Sequence, residues 1–143
     1  MRVEWGLELP REVRAVVEPY VVRYLDILPP WCHTLFVGEE KDPKEKAETY
    51  ASIKADYRYR RARMAITPTF LEGTDEEREQ TVVHEFVHVL NAPMVDFQDQ
   101  LIELVKENEP DLSKLLETLQ EAGMEAATED MAMLLWRLTE DRR

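Results

Sequence analysis

The stretch GTDEEREQTVVHEFVHVLNAP, Gly73 to Pro93, decides how this chain is read. Gly73 breaks the segment before it. The Thr74 hydroxyl can accept from the Glu77 backbone N–H while the Glu77 carboxylate reaches back to the Thr74 N–H, a capping box that starts a helix. The helix is expected to run to about Leu90, with Asn91 and Pro93 ending it. His84 and His88 are four residues apart, and residues at that spacing stack on one helical face. Two imidazole nitrogens can then meet one metal ion. Glu85 is turned about 100° from His84, near the same cavity but away from direct ligation. That position suits a carboxylate taking a proton from a metal-bound water, the chemistry behind HExxH in zinc hydrolases. Val82, Val83, Phe86, Val87, Val89 and Leu90 surround the pair with apolar side chains. Such a surround anchors the helix in a core and strengthens electrostatics at the site.

Outward from this helix, the chain divides into unlike halves. Upstream, apolar residues from Leu9 to Leu28 recur at helical spacing, and Pro29-Pro30 stops that helix. His33 to Gly38 reads as a short strand, and Glu39 to Glu48 as a charged loop. Ala51, Ile53 and Ala55 alternate with polar residues, as do Ala62, Met64 and Ile66. The two runs are out of phase, so a hairpin with its turn near Asp56–Tyr59 is expected. Downstream, three helices are expected: Val95 to Lys106, Leu112 to Gln120, and Met124 to Leu138, with Pro110 and Gly123 between them. A helix, a few strands and then several helices make an α+β domain over residues 1–143 rather than an alternating βαβ chain.

A catalytic zinc takes three protein ligands and keeps one position open. His33 reads as a strand residue, so a carboxylate should complete the set. Asp96, Asp99, Glu103, Glu125, Glu129 and Asp130 are the downstream candidates. Met124, Thr128, Met131, Leu135 and Leu138 mark an inward stripe on the last helix, with Glu125 at its edge and Glu129 one turn later. Acids beside a buried stripe need a partner. Glu125 is therefore the favoured ligand, with Glu129 supporting a histidine; the exchanged roles are the second choice.

The 143 residues suit one core. The net charge of −12 disfavours a nucleic-acid partner. The one basic run, YRYRRAR at Tyr57–Arg63, reads as the solvated edge of a strand. The single cysteine, Cys32, excludes a disulfide within the chain and reads as a small buried hydrophobe in a reducing, cytoplasmic setting. No apolar run has signal-peptide or membrane-spanning length, so no membrane partner is expected.

HEFVH followed by a helical glutamate resembles the zincin metallopeptidases, in particular the gluzincins, which pair HExxH with a later E-x-x-x-D or a variant. Glu125-Ala-Ala-Thr-Glu129 has that spacing with Glu in place of the last Asp. The order of elements resembles small single-domain zincin-like proteins of phage and bacteria. The resemblance implies a minimal zincin-like domain with Zn²⁺ on His84, His88 and Glu125, and Glu85 as general base. It implies a peptide or protein substrate held along a sheet-edge strand, by position Arg60 to Thr67. VLNAPM after His88 lacks the glycine and third histidine of the metzincins. Tyr57, Tyr59 and His33 are the candidates to meet the oxyanion. Two other readings stand beside the peptidase: a non-catalytic, zinc-stabilised binding or regulatory protein, and a metal-free helical domain.

Overall fold

The computed structural model describes residues 1–42 and 49–143 and has an α+β architecture. The expected charged loop at 39–48 falls mostly outside the described residues, and its first residue closes a strand. The elements are β1 (Arg2–Trp5), α1 (Arg11–Tyr24), a 3-10 turn (Leu25–Ile27), β2 (Thr34–Glu39), β3 (Ala51–Asp56), β4 (Arg61–Ile66), α2 (Pro68–Glu72), α3 (Asp75–Lys106), α4 (Pro110–Leu138) and a closing 3-10 turn (Glu140–Arg142).

The sheet order is β1-β2-β4-β3. β1, β2 and β4 are parallel, and β3 is antiparallel to β4. The expected hairpin is present. The chain turns through Tyr57 to Arg60, where Arg60 takes φ 53°, the left-handed position that a tight reversal requires. The register sets Ala55 against Ala62 and Ile53 against Met64. Alternation along β2 and β4 buries Leu35, Val37, Ala62, Met64 and Ile66 on one face, as the two-residue period of a strand dictates. On the opposite face the expected basic run is divided. Arg61 and Arg63 are exposed on β4, an interior strand rather than an edge, and Arg63 lies over the Phe36 ring.

α3 packs its stripe of Val82, Val83, Phe86, Val87 and Val89 into the core, each fully buried. Burial of such a side chain contributes about 1.5–3 kcal/mol. The capping box at Thr74 and Glu77 is formed on both sides. The helix does not stop at Leu90. It runs through Asn91 and Pro93 to Lys106, so the separate helix expected from Val95 is its second half. Likewise Pro110–Leu138 is one helix, and Gly123 lies inside it. The two long helices pack against each other, and that packing outweighs local stop signals worth a few kcal/mol at most. Asn91 shows the exchange directly. Its amide donates to the Thr128 hydroxyl of α4 at 3.0 Å instead of ending α3.

The inward stripe of α4 also differs from expectation. Thr128 and Ala132 are buried and Leu135 is partly buried, but Met131 and Leu138 are exposed. At the far end of the core, the buried Glu79 pairs with Arg23 and accepts from the Trp136 indole, with Arg143 at 3.9 Å. Charges removed from water are tolerated there because each has a partner.

Candidate metal centre

α3 presents His84 and His88 on the face that looks toward α4 and the β3 edge. The two Nε2 atoms are 3.1 Å apart, and the rings meet edge to face at 4.8 Å. From α4, Glu125 brings one carboxylate oxygen to 3.2 Å from the His84 Nε2 and the other to 3.5 Å from the His88 Nε2. Ligand atoms around a tetrahedral zinc, with bonds near 2.0–2.1 Å, sit about 3.3 Å apart. The three residues thus fit a small divalent ion by spacing and by donor type, and they form the group among the described residues whose ligand atoms all lie within 4.8 Å of one another. Two imidazoles and a carboxylate suit zinc and also other first-row metals.

Glu129 stands one helical turn beyond Glu125, and its carboxylate lies 3.0 Å from the Nδ1 of His84. His84 therefore has a carboxylate at each ring nitrogen. Burial, followed by the neighbouring His84, pushes His88 below its ordinary value of 6.5, while Glu125 opposes the shift. Neutral imidazole is the form that ligates. Glu85 is 9% exposed and lines the same cleft as the two histidines.

That cleft has a volume of about 850 Å³. One wall is β3 and the turn after it; the other is α3 from His84 to Asp99, with Glu125 above. The strand beside the site is therefore β3, Ala51–Asp56, and not the expected Arg60–Thr67. β4 lies between β2 and β3, with both edges paired, whereas β3 pairs, among the described residues, with β4 alone. The reason is topological: β3 runs antiparallel and takes the outer position, which sequence order does not reveal.

The other candidates are placed as follows. Asp96 and Asp99 line the cleft; Asp96 accepts from Gln100 and Asp99 from Gln120. Glu103 pairs with Lys106, and Asp130 is exposed. Tyr57 lines the cleft and packs edge to face on Trp31 at 5.2 Å. Tyr59 is exposed beneath Arg61, and His33 is exposed at the start of β2. Cys32 is buried in the core, its thiol pushed up by burial, away from the cleft. Two contributors were not singled out in the sequence. They are the β3 edge and the Asn91–Thr128 hydrogen bond that registers α4 against α3 beside the histidines. An asparagine stacked one turn from His88 was the available sign of the second.

No helix among the described residues is long and apolar enough to cross a membrane. No family model matches the chain, and no curated protein or solved structure matches it either.

Proposed function

We propose that the chain is a zinc-dependent peptidase in which His84, His88 and Glu125 hold the ion and Glu85 handles the proton. The observation that carries this reading is the approach of two imidazole Nε2 atoms and one carboxylate to near-tetrahedral spacing, beside a buried glutamate in a cleft. When bound there, zinc supplies a Lewis acid that polarises a carbonyl and brings the pKa of water near neutrality.

The chain's own residues supply the rest. Glu129 accepts a hydrogen bond from the Nδ1–H of His84, which fixes the tautomer and leaves Nε2 with its lone pair free to ligate. Glu85 takes a proton from the attacking water on a carboxylate oxygen and returns it to the leaving nitrogen. The edge of β3 away from β4, unpaired among the described residues, offers main-chain donors and acceptors to a substrate peptide in extended form. The Tyr57 phenol, on the cleft wall, is the group available to donate to the oxygen on which negative charge develops.

Elemental analysis and a peptidase assay on an unfolded polypeptide test the reading together. About one zinc per chain is expected, with Glu125→Ala losing it. Glu85→Gln should keep its zinc and lose about 100-fold or more in turnover. A Glu85→Gln chain as active as wild type would show the mechanism to be wrong.

A second reading has its own observation. The ligands come from two helices, and α4 packs chiefly against α3, so an ion here would also clamp α4 onto α3. A zinc-stabilised binding or regulatory protein would gain thermal stability on zinc addition and hydrolyse nothing.

A further inference from the structure

The basic run of β4 and its turn has no part in the metal centre, and the sheet register shows what it builds. Alternation sends Leu35, Val37, Met64 and Ile66 into the same core as the buried residues of α1 and α3. The alternate residues face the other way, away from the helices. Pairing sets them in rows across the four strands. One row reads Arg2, Thr34, Arg61, Asp56; the next reads Glu4, Phe36, Arg63, Lys54. Gly38, Ala65 and Ser52 follow beyond the second row, and a Cβ built on Gly38 meets nothing within 4 Å. Short side chains thus leave the Phe36 ring open on that side. Phe36, Lys54, Arg61 and Arg63 line a shallow pocket of about 260 Å³.

The acids of this face are already engaged. Glu4 pairs with Arg2 at 2.9 Å, and Asp56 lies 3.8 Å from Arg61. Glu40 accepts from the Ser52 hydroxyl and from the Lys41 and Asp42 N–H groups. Arg63 forms no ion pair among the described residues; its guanidinium lies over the Phe36 ring at 5.8 Å. Lys54 stands directly opposite it across the antiparallel β3–β4 pair. Like charges so placed are destabilising, and an anion seated between them removes that cost. The net charge of −12 is carried elsewhere. Residues 1–66 hold twelve Lys or Arg against eleven Asp or Glu, whereas residues 67–143 hold six against nineteen. The acidic excess therefore belongs to the helical half, on the core side of the sheet. A layer about 10 Å thick exceeds the Debye length of about 8 Å at physiological ionic strength. Asp96 meets Arg58 at the β3 edge, at 3.9 Å, so Arg58 is not counted in the patch.

We propose that the open face of the sheet binds single-stranded nucleic acid. Exposed aromatic rings favour this occupant over an acidic peptide. Phe36 lies in the middle of the face, and Tyr59, 71% exposed, lies in the turn with Arg61 over its ring at 5.0 Å. An unpaired base presents a π-face that stacks on such rings, and a neighbouring guanidinium adds to the platform. A carboxylate side chain has no such face, and a duplex keeps its bases stacked on one another. A base on Phe36 turns its phosphates toward Arg61, Arg63 and Lys54. Arg61 and Arg63 are two residues apart on one strand, about 7 Å. An open four-stranded sheet of this kind holds about two or three stacked bases. Phe36, Arg61 and Arg63 take no part in lining the cleft, so the inference does not depend on the metal or on peptidase activity.

The test uses the full chain and three labelled probes of about 12 units. They are oligothymidine, a DNA duplex of the same length, and a polyglutamate peptide. Fluorescence anisotropy at about 50 mM salt should show oligothymidine bound, with the duplex and the peptide at least about tenfold weaker. Phe36→Leu, with its fold checked by circular dichroism, should weaken oligothymidine binding by about tenfold. Lys54→Gln with Arg63→Gln should weaken it by a similar factor and flatten the logarithmic salt dependence by about 1.4, the value for two lost phosphate contacts on a single strand. The same pair of substitutions removes a like-charged contact, so its urea midpoint should equal or exceed that of wild type. Three results would overturn the inference. One is polyglutamate bound as tightly as oligothymidine, which would assign the face to an acidic protein segment. Another is wild-type affinity in the Phe36 variant or in the doubly substituted chain. The last is no anisotropy change with oligothymidine up to about 100 μM chain.

Discussion

At the scale of single residues, the centre of interest is His84, with carboxylates at both ring nitrogens. The two acids do unlike work under the proposed function. Glu125 touches both histidines and would be a ligand; Glu129 touches only the Nδ1 of His84 and would orient the ring. Removing a ligand and removing its support have different magnitudes. Glu129→Ala should weaken zinc binding by about 10–100-fold while leaving one zinc per chain at saturation. Glu125→Ala should fail to saturate in the same titration. If Glu129→Ala is the more damaging of the two, the roles are exchanged. The i, i+4 spacing of the histidines and their shared face were readable in HEFVH because helical geometry is local. The choice among six downstream acids was not, because it depends on how far α4 slides along α3, and the Asn91–Thr128 hydrogen bond sets that slide.

At the scale of elements, α3 and α4 are each longer than local signals allow. Pro93 lies inside α3 and Gly123 inside α4. Asparagine, proline and glycine are stop signals because of what they do to an isolated helix, and a neighbour packed alongside overrides them. Gly123 offers a clean check. A Cβ built there meets nothing within 4 Å, so Gly123→Ala should stabilise the chain by about 1 kcal/mol, read as a higher urea midpoint at unchanged slope. A break in the helix at Gly123 would instead make the substitution neutral or harmful. β1 escaped the sequence reading for a related reason. Its four residues are too short to show a period, and its partner β2 lies a whole helix away and runs parallel to it.

At the scale of the whole molecule, the last residues close on the first helix. The Arg142 guanidinium donates to both oxygens of Asp26, one at 2.7 Å. Its hydrogen bond holds the Asp26 carboxyl below its ordinary value of 3.8. An acid with a depressed folded pKa stabilises the fold above its unfolded pKa, and that contribution is lost as pH falls through the folded value. Wild type should therefore exceed Asp26→Asn in urea midpoint at neutral pH, and the gap should close below about pH 3.8. The pair is largely exposed, so the gap is small and shrinks with salt. A gap independent of pH would mean that the contact acts through packing rather than charge. Arg142 and Asp26 are 116 positions apart, and nothing in either segment announced the pairing.

The sequence by itself determined what the backbone periods and caps enforce locally. These are the α+β class, the capped start of α3, the buried stripe from Val82 to Val89, the β3–β4 hairpin, and two histidines on one helical face. The tertiary structure decided what depends on distant partners. It put β3 rather than β4 at the outer position beside the cleft. It carried α3 past Asn91 and α4 past Gly123, and it brought Glu125 and Glu129 to opposite nitrogens of His84. The physical reason is the same in each case. Hydrogen bonding within a turn or a helix is set by neighbours in sequence, whereas strand order, helix length and carboxylate placement are set by which surfaces bury each other.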